Sequence, residues 1–178
     1  SQIQDGTSGG IELAARAVRV RGVSVVQSTV DGDGTAGDVV VRADDVLVTG
    51  SGVGTRSGIF AKPLNTSDPG LGASGSIRID GRRLRVDDGA TINVSSTQNG
   101  AAGDMVIGAA TPLAKVVLDG GTIEAETSRV GASGGNVDVA ARRLRLERGA
   151  RITTANTALG DTGTIRLVGE QLRMTGGS

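Results

Sequence analysis

Residues 75–94, GSIRIDGRRLRVDDGATINV, show the pattern that the rest of the chain repeats. A glycine and a small polar residue precede an alternating apolar-polar-apolar triplet, residues 77–79. A second such triplet, residues 84–86, begins nine positions after the glycine, and a third, residues 92–94, follows an Asp-Gly turn. Alternation with a period of two residues, bounded by Gly and Asp, is typical of short half-buried strands. One such unit cannot bury its apolar face alone, so the recurrence of the pattern decides the fold.

The same frame recurs six times, and each recurrence is called a coil below. The spacings between the leading glycines are 28, 38, 28, 32 and 28 residues, which indicates a basic coil of 28 residues. The second coil carries an insertion within residues 54–71, and the fourth carries a shorter one at residues 108–114. The leading glycines of coils one to six are Gly9, Gly37, Gly75, Gly103, Gly135 and Gly163. The third strands are expected at Val25/Val26, Val53, Ile92, Ile123 and Ile152.

Frequent Gly and β-branched residues disfavour helix throughout the chain. Three short strands per coil, with successive coils in register, predict an all-β chain that forms a parallel β-helix, or solenoid, over residues 1–178. Five to six coils, each rising about 4.8 Å, would form a rod segment of roughly 25–30 Å. The usual crossover preference predicts a right-handed path. Phe60 is the only aromatic residue, and this scarcity of aromatic side chains fits a narrow core filled by aliphatic ones.

The composition narrows the possible functions. The chain lacks Cys and His, which excludes disulfides, Cys/His metal sites and catalysis by those side chains. Its formal net charge is zero, so no nucleic-acid partner is predicted. No cofactor is predicted either. The sequence starts without a signal-peptide pattern and neither end has a polar capping coil. We therefore expect a processed or excised piece that is continued by further coils of the same or an identical chain.

The longer insertion carries the unusual residues, which makes it the candidate contact loop. It holds the only Phe and two of the three prolines, and it is expected to replace the turn after the third strand of coil two. The candidate contact residues are Arg56, Phe60, Lys62, Leu64 and Asn65.

Outward positions of the first two strands are rich in Arg, for example Arg85 and Arg145. This face could bind anionic glycans or a partner, or it could be a solvated sheet face with balanced charges. Apolar residues interrupt the outward columns in the two coils that carry insertions. We predict that each insertion folds over these residues and buries them. They are Val40, Leu47, Val106 and Val117.

Three further signals concern chemistry. Asp31, Asp33 and Asp38 place oxygen atoms at alternate positions, which suits Ca²⁺, but no Glu completes a calcium loop, so a Gly-rich turn is favoured and no metal is predicted. Glu124 and Glu126 lie along one strand without an acidic partner in the next coil, which argues against an enzyme. The small polar residue after each leading glycine is expected to stack in a ladder through side-chain to backbone hydrogen bonds. The members of this ladder are Asp38, Ser76, Asp104, Asn136 and Thr164.

The phrases GASGSIRIDGRRLRVDDGATINVSS, GASGGNVDVAARRLRLERGARITTAN and GTAGDVVVRADDVLV resemble repeats of filamentous-haemagglutinin-type exoproteins. That resemblance implies a β-helix shaft of a secreted or surface-displayed bacterial adhesin, exported by two-partner secretion through an outer-membrane partner. It also implies cell adhesion through a host or bacterial surface receptor or glycan. The family's secretion domain carries an Asn-Pro-Asn motif that this chain lacks, so the chain is expected to be shaft. The alternatives are a filament subunit that stacks end to end and, less favoured, a glycan-binding or glycan-cleaving module.

Overall fold

The structure, a computed structural model, describes residues 7–51, 57–64 and 71–176. These residues form fourteen strands that pair in parallel, and none of the described residues is helical. They wind into a β-solenoid of about five turns with a spacing of about 30 residues, which confirms the predicted all-β solenoid. The strands are β1 (Ile11–Arg21), β2 (Val25–Ser28), β3 (Val39–Thr49), β4 (Gly58–Ala61), β5 (Ile77–Asp87), β6 (Thr91–Asn93), β7 (Met105–Ile107), β8 (Lys115–Asp119), β9 (Thr122–Glu124), β10 (Val137–Ala140), β11 (Arg143–Glu147), β12 (Arg151–Thr153), β13 (Ile165–Val168) and β14 (Gln171–Met174).

The strands form two sheets. The first and second strands of every coil belong to a nine-stranded sheet, and the third strands form a five-stranded sheet in the order β12-β9-β6-β4-β2. In coils one to three the first two strands are joined into one strand of 11 residues. Three separate strands per coil therefore occur only in coils four and five, because the intervening residues of the first three coils keep their ladder pairing almost throughout.

The register follows the repeat read from the sequence. Ile11 pairs with Val39, and Val137 pairs with Ile165, each 28 positions on. The leading glycines stack on one another closely: a Cβ atom at Gly135 would overlap the carbonyl oxygen of Gly103, and the other later coils show the same approach. Glycine is therefore required in this column wherever one coil packs on another.

The core is a stack of aliphatic layers between the two sheets. The interior layer predicted for coil three is confirmed, since all six of its side chains are buried. In coil six the equivalent residues of β13 and β14 are mostly exposed, because no described strand lies beyond them. The six buried residues of coil three are Ile77, Ile79, Leu84, Val86, Ile92 and Val94.

The third strand of coil two differs from the prediction. The sequence placed it at Val53, which lies outside the described residues, whereas the strand that pairs with β2 and β6 is β4. Val26 pairs with Ile59 and Ile59 with Ile92, each 33 positions on, so the insertion is divided between the two sides of β4. The predicted loop at residues 54–71 thus contains a buried strand, since the run Gly-Ile-Phe-Ala can be enclosed completely.

The shorter insertion, residues 108–114, connects β7 to β8 as predicted. It is anchored by Leu113, which is buried in the core and bridges to Ala141 of the next coil. Gly108 starts the insertion with a positive φ of 80°, a conformation that favours glycine.

Candidate contact surface

The residues proposed for the contact loop are only partly on display. Phe60 lies in β4 and is 8% exposed, so its proposed role as a displayed contact residue is wrong. Lys62 is half-buried and Leu64 is exposed. Arg56 and Asn65 lie outside the described residues.

Phe60 is enclosed because its own strand makes room for the ring. Two ring carbons lie 2.8 and 2.9 Å from the position that a Cβ atom would take at Gly58. The ammonium group of Lys62 lies 5.6 Å from the ring centroid, which is within the range of a cation–π contact. A side chain at position 58 would expel the ring, so Gly58 and Lys62 together hold Phe60 against the sheet.

Two glutamates lie on the same outer face, near Lys62. The register aligns Phe60, Asn93 and Glu124 in one column of the five-stranded sheet. The Asn93 side-chain amide donates a hydrogen bond to the Glu124 carboxylate, and the Thr153 hydroxyl donates one to Glu126 at 2.6 Å. Burial raises the pKa of the Glu124 carboxyl, and the negative charge of Glu126 adds to the rise. Chemically, Glu124 can keep a proton to higher pH than an exposed Glu.

Both glutamates are held by hydrogen bonds between coils. Glu124 accepts a hydrogen bond from coil three, and Glu126 accepts one from coil five. This geometry favours a role in holding coils together.

Two of the three candidate calcium ligands accept backbone hydrogen bonds within the fold. The Asp33 carboxylate accepts the backbone N–H of Leu71 at 2.7 Å, and the Asp38 carboxylate accepts that of Ser76 at 2.7 Å. Asp31 is exposed. Within the described ranges, no three acidic side chains come together in a group that could hold a metal ion.

The predicted polar ladder is confirmed at three of its four steps. Asp38 accepts the N–H of Ser76, Asp104 accepts that of Asn136 at 2.8 Å, and Asn136 accepts that of Thr164 at 3.0 Å. Asp104 also accepts the side-chain amide of Asn136 at 3.1 Å. The small polar residue of one coil therefore binds the backbone of the next, which fixes the register at this turn.

Sequence reasoning missed an ion-pair cluster that spans coils three to five. The Arg148 guanidinium pairs with both Asp119 and Asp88, and Arg85 pairs with both Asp87 and Asp119. The hydrogen bond from Arg148 holds the pKa of Asp119 below its usual value, and the same bond raises the pKa of Arg148. The sequence did contain a signal for this cluster, since Asp88 and Arg148 each precede the turn glycine of their coil. In the structure both residues have a φ of 51°.

The Arg-rich outer face of the nine-stranded sheet is largely charge-balanced. Arg78 pairs with Asp80 at 2.6 Å, Arg83 pairs with Asp45, and Arg42 pairs with Glu12. These pairs are partly exposed and each contributes little by itself. They favour the interpretation of this face as a solvated sheet surface over a site for anionic glycans.

The outward apolar residues are at least half-buried. Val117 is 6% exposed, and Val40, Leu47 and Val106 are half-buried. The ladder neighbours of Val117 are Arg85 and Arg145, whose aliphatic stems can cover it. That the insertions themselves fold over these apolar residues stays a prediction.

The described part of the chain contains no helix that could cross a membrane. Compared with known proteins, the chain matches no protein-family model, no curated protein sequence and no solved structure.

Proposed function

We propose that this chain is a non-catalytic, adhesive shaft segment of a secreted or surface-displayed bacterial exoprotein, exported with an outer-membrane secretion partner. The observation that carries the proposal is the in-register stack, in which every coil pairs with the next through parallel strands. A rod of this kind holds a binding region at a distance from the surface to which it is attached.

The outer side chains support a mechanical role. The polar ladder and the ion-pair cluster around Arg148 both join successive coils. Load along the rod would be shared among many backbone hydrogen bonds at each coil–coil contact, with these side-chain bonds in addition. The two glutamates of the five-stranded sheet are also engaged by neighbouring coils.

Surface display is tested by labelling cells of the producing bacterium. Antibodies raised against the purified chain should bind intact cells or detect the protein in the culture medium, while antibodies against a periplasmic protein label only lysed cells. Signal from this chain that appears only after lysis would contradict the proposal.

The shaft role is tested by removing whole coils from the intact exoprotein. Deletion of residues 135–162 removes one 28-residue coil and joins Gly134 to Gly163 in the same frame. We expect a folded, displayed protein whose shaft is shorter by about 4.8 Å. Deletion of half a coil, residues 135–148, breaks the register and should abolish folding. If the whole-coil deletion also abolishes display, that result would argue against a shaft.

A further inference from the structure

A lysine, an asparagine and a glutamate share the outer face of the five-stranded sheet in coils two to four. Phe60, Asn93 and Glu124 stand in one column, with Asn93 in the middle. The ammonium group of Lys62 lies 5.6 Å from the Phe60 ring centroid. Its charge also acts on Glu124, where it favours the ionised carboxylate against the larger effect of burial. Because the ammonium group interacts with both ends of the column, it lies over the part of the face that holds Asn93.

The side-chain amide of Asn93 is held at both of its polar atoms. The residue is 8% exposed. Its Oδ1 accepts the backbone N–H of Ser95 at 2.7 Å, and its Nδ2 donates to the Glu124 carboxylate. An N–H group on a carbonyl oxygen stabilises the negative charge that develops when a nucleophile adds to the carbonyl carbon. A carboxyl group at the amide nitrogen can protonate that nitrogen as it leaves. The Asn93 amide therefore has both contacts that transfer of its acyl group requires.

Glu124 has the properties of a proton carrier. Burial raises the pKa of its carboxyl and the charge of Glu126 adds to the rise, while the hydrogen bond from Asn93 and the charges of Lys62 and Arg151 oppose it. A carboxyl group with a raised pKa takes up and releases its proton closer to neutral pH. The amine of a lysine becomes a nucleophile when a neighbouring base removes its proton. Glu124 is thus suited both to activate Lys62 and to protonate the leaving nitrogen of Asn93.

We propose that the side chains of Lys62 and Asn93 join in an amide bond, with Glu124 as the proton carrier, so that coil two is linked covalently to coil three. Nζ of Lys62 attacks Cγ of Asn93, the new Nζ–Cγ bond forms and the Cγ–Nδ2 bond breaks. Two protons leave Nζ and reach Nδ2 by way of Glu124, so ammonium departs and no other reactant is consumed. The reaction occurs once in each chain, without turnover. Held side by side, the two groups react as an intramolecular pair.

The first test is mass spectrometry of the purified, denatured chain. We expect a mass that is lower than the sequence mass by one ammonia. Lys62→Arg keeps the positive charge but not the amine, and this variant should show its full sequence mass. The chain has one other lysine, the exposed Lys115, so Lys115→Arg is the matched control and should retain the loss of ammonia. A full mass for the original chain, or a loss that persists in Lys62→Arg, would overturn the proposal.

Peptide mapping separates the cross-link from loss of ammonia by ring closure at Asn99, which precedes a glycine. Trypsin cleaves after Arg and Lys, and it therefore places Lys62 and Asn93 in different peptides, residues 57–78 and 86–115. The cross-link should join these two peptides, whereas ring closure leaves them apart. Recovery of the two peptides only as separate species would contradict the proposal.

The role of Glu124 is tested by the rate of cross-linking after cell-free synthesis. Glu124→Gln keeps a polar partner for Asn93 but cannot carry a proton, and it should slow the reaction about a hundredfold or more. Glu126→Gln is the matched control and should react at the original rate, because Glu126 is bonded to Thr153 instead. An unchanged rate in Glu124→Gln would overturn the assignment of the proton carrier.

The cross-link and the charge of Glu124 affect stability separately. Because Glu124→Gln also blocks the cross-link, the effect of its charge on thermal unfolding is measured in chains that carry Lys62→Arg, in which no cross-link forms. The cross-link goes beyond the shaft role, and none of its tests depends on where cells display the protein.

Discussion

Coils three and six have almost the same sequence pattern, but only coil three has an enclosed interior. Leu84 of coil three is 1% exposed and Leu172, at the equivalent position of coil six, is 55% exposed. Both leucines lie in the second strand, and each is preceded and followed by polar residues or by arginine. The difference between them is that, among the described strands, coil three is paired on both sides and coil six on only one.

This comparison shows that the pattern of a coil selects which side chains point inward, while the neighbouring coils create the core. Stability in such a solenoid is approximately a sum of contributions from each coil and from each contact between coils. Equivalent substitutions in coils three and six should therefore differ by the contribution of one coil–coil contact.

The largest difference is expected for the two leucines. Leu84→Ala removes a buried side chain and should lower the free energy of unfolding by about 2–5 kcal/mol. Leu172→Ala should cost about 0.5 kcal/mol, as is usual for an exposed residue. Urea unfolding of both variants at a concentration where the chain is monomeric measures the two costs. Equal costs would contradict the account in which neighbouring coils create the core.

The next largest effect is expected in the glycine column. Gly135→Ala forces a methyl group against the Gly103 carbonyl and should cost about 1–3 kcal/mol. Gly9→Ala is the matched control, because no atom of the described residues lies within 4 Å of its Cβ position. It should leave thermal unfolding of the monomer nearly unchanged. A large loss of monomer stability in Gly9→Ala would mean that Gly9 is already packed within one copy.

A smaller effect is expected in the polar ladder. Asp104→Ala removes two hydrogen bonds to Asn136 and should destabilise the chain by about 1 kcal/mol. Thr164→Ala changes the ladder position of coil six, beyond which no described strand lies, and should have almost no effect. Both costs can be read from urea unfolding. A cost for Thr164→Ala as large as that for Asp104→Ala would contradict the nearest-neighbour account.

The features that follow from the repeat period could be predicted from the sequence. The interior layer of coil three, the glycine column and the polar ladder all depend only on spacing and on the alternation of side chains. Parallel pairing in register then places equivalent residues directly above one another.

Features that depend on chain length within an insertion or on side-chain reach could not be predicted. Val53 and Ile59 are both apolar residues near the expected position of the third strand, and spacing alone does not choose between them. The burial of Phe60 requires Gly58 to leave room for the ring. Arg148 reaches Asp88, 60 residues earlier, because the turns of coils three, four and five stack on one another.

The smallest effect concerns a side chain that neighbouring coils bury on the outer face. Burial raises the pKa of Glu124, so the folded chain holds this proton to higher pH than the unfolded chain does. Stability therefore falls as the pH rises from the unfolded pKa of about 4.3 through the raised folded value. Glu124→Gln removes the charge but keeps an acceptor for Asn93. At pH 7 the variant should unfold at a temperature higher by at most about 2–4 °C, the shift that about 1 kcal/mol produces in a chain of this size.

The same variant should lose its advantage as the pH falls below that window, because Glu124 of the original chain then becomes neutral as well. Glu170→Gln in coil six is the control, since that side chain is 74% exposed and has no burial to relieve. Thermal unfolding of both variants from pH 3 to pH 8 separates the two cases. If Glu124→Gln destabilises the chain at pH 7, the hydrogen bond from Asn93 to the charged carboxylate outweighs the cost of burying it. In that case the neighbouring coils would stabilise an outward charge as well as an inward apolar side chain, and the interior coils three and four would differ from coil six on both faces.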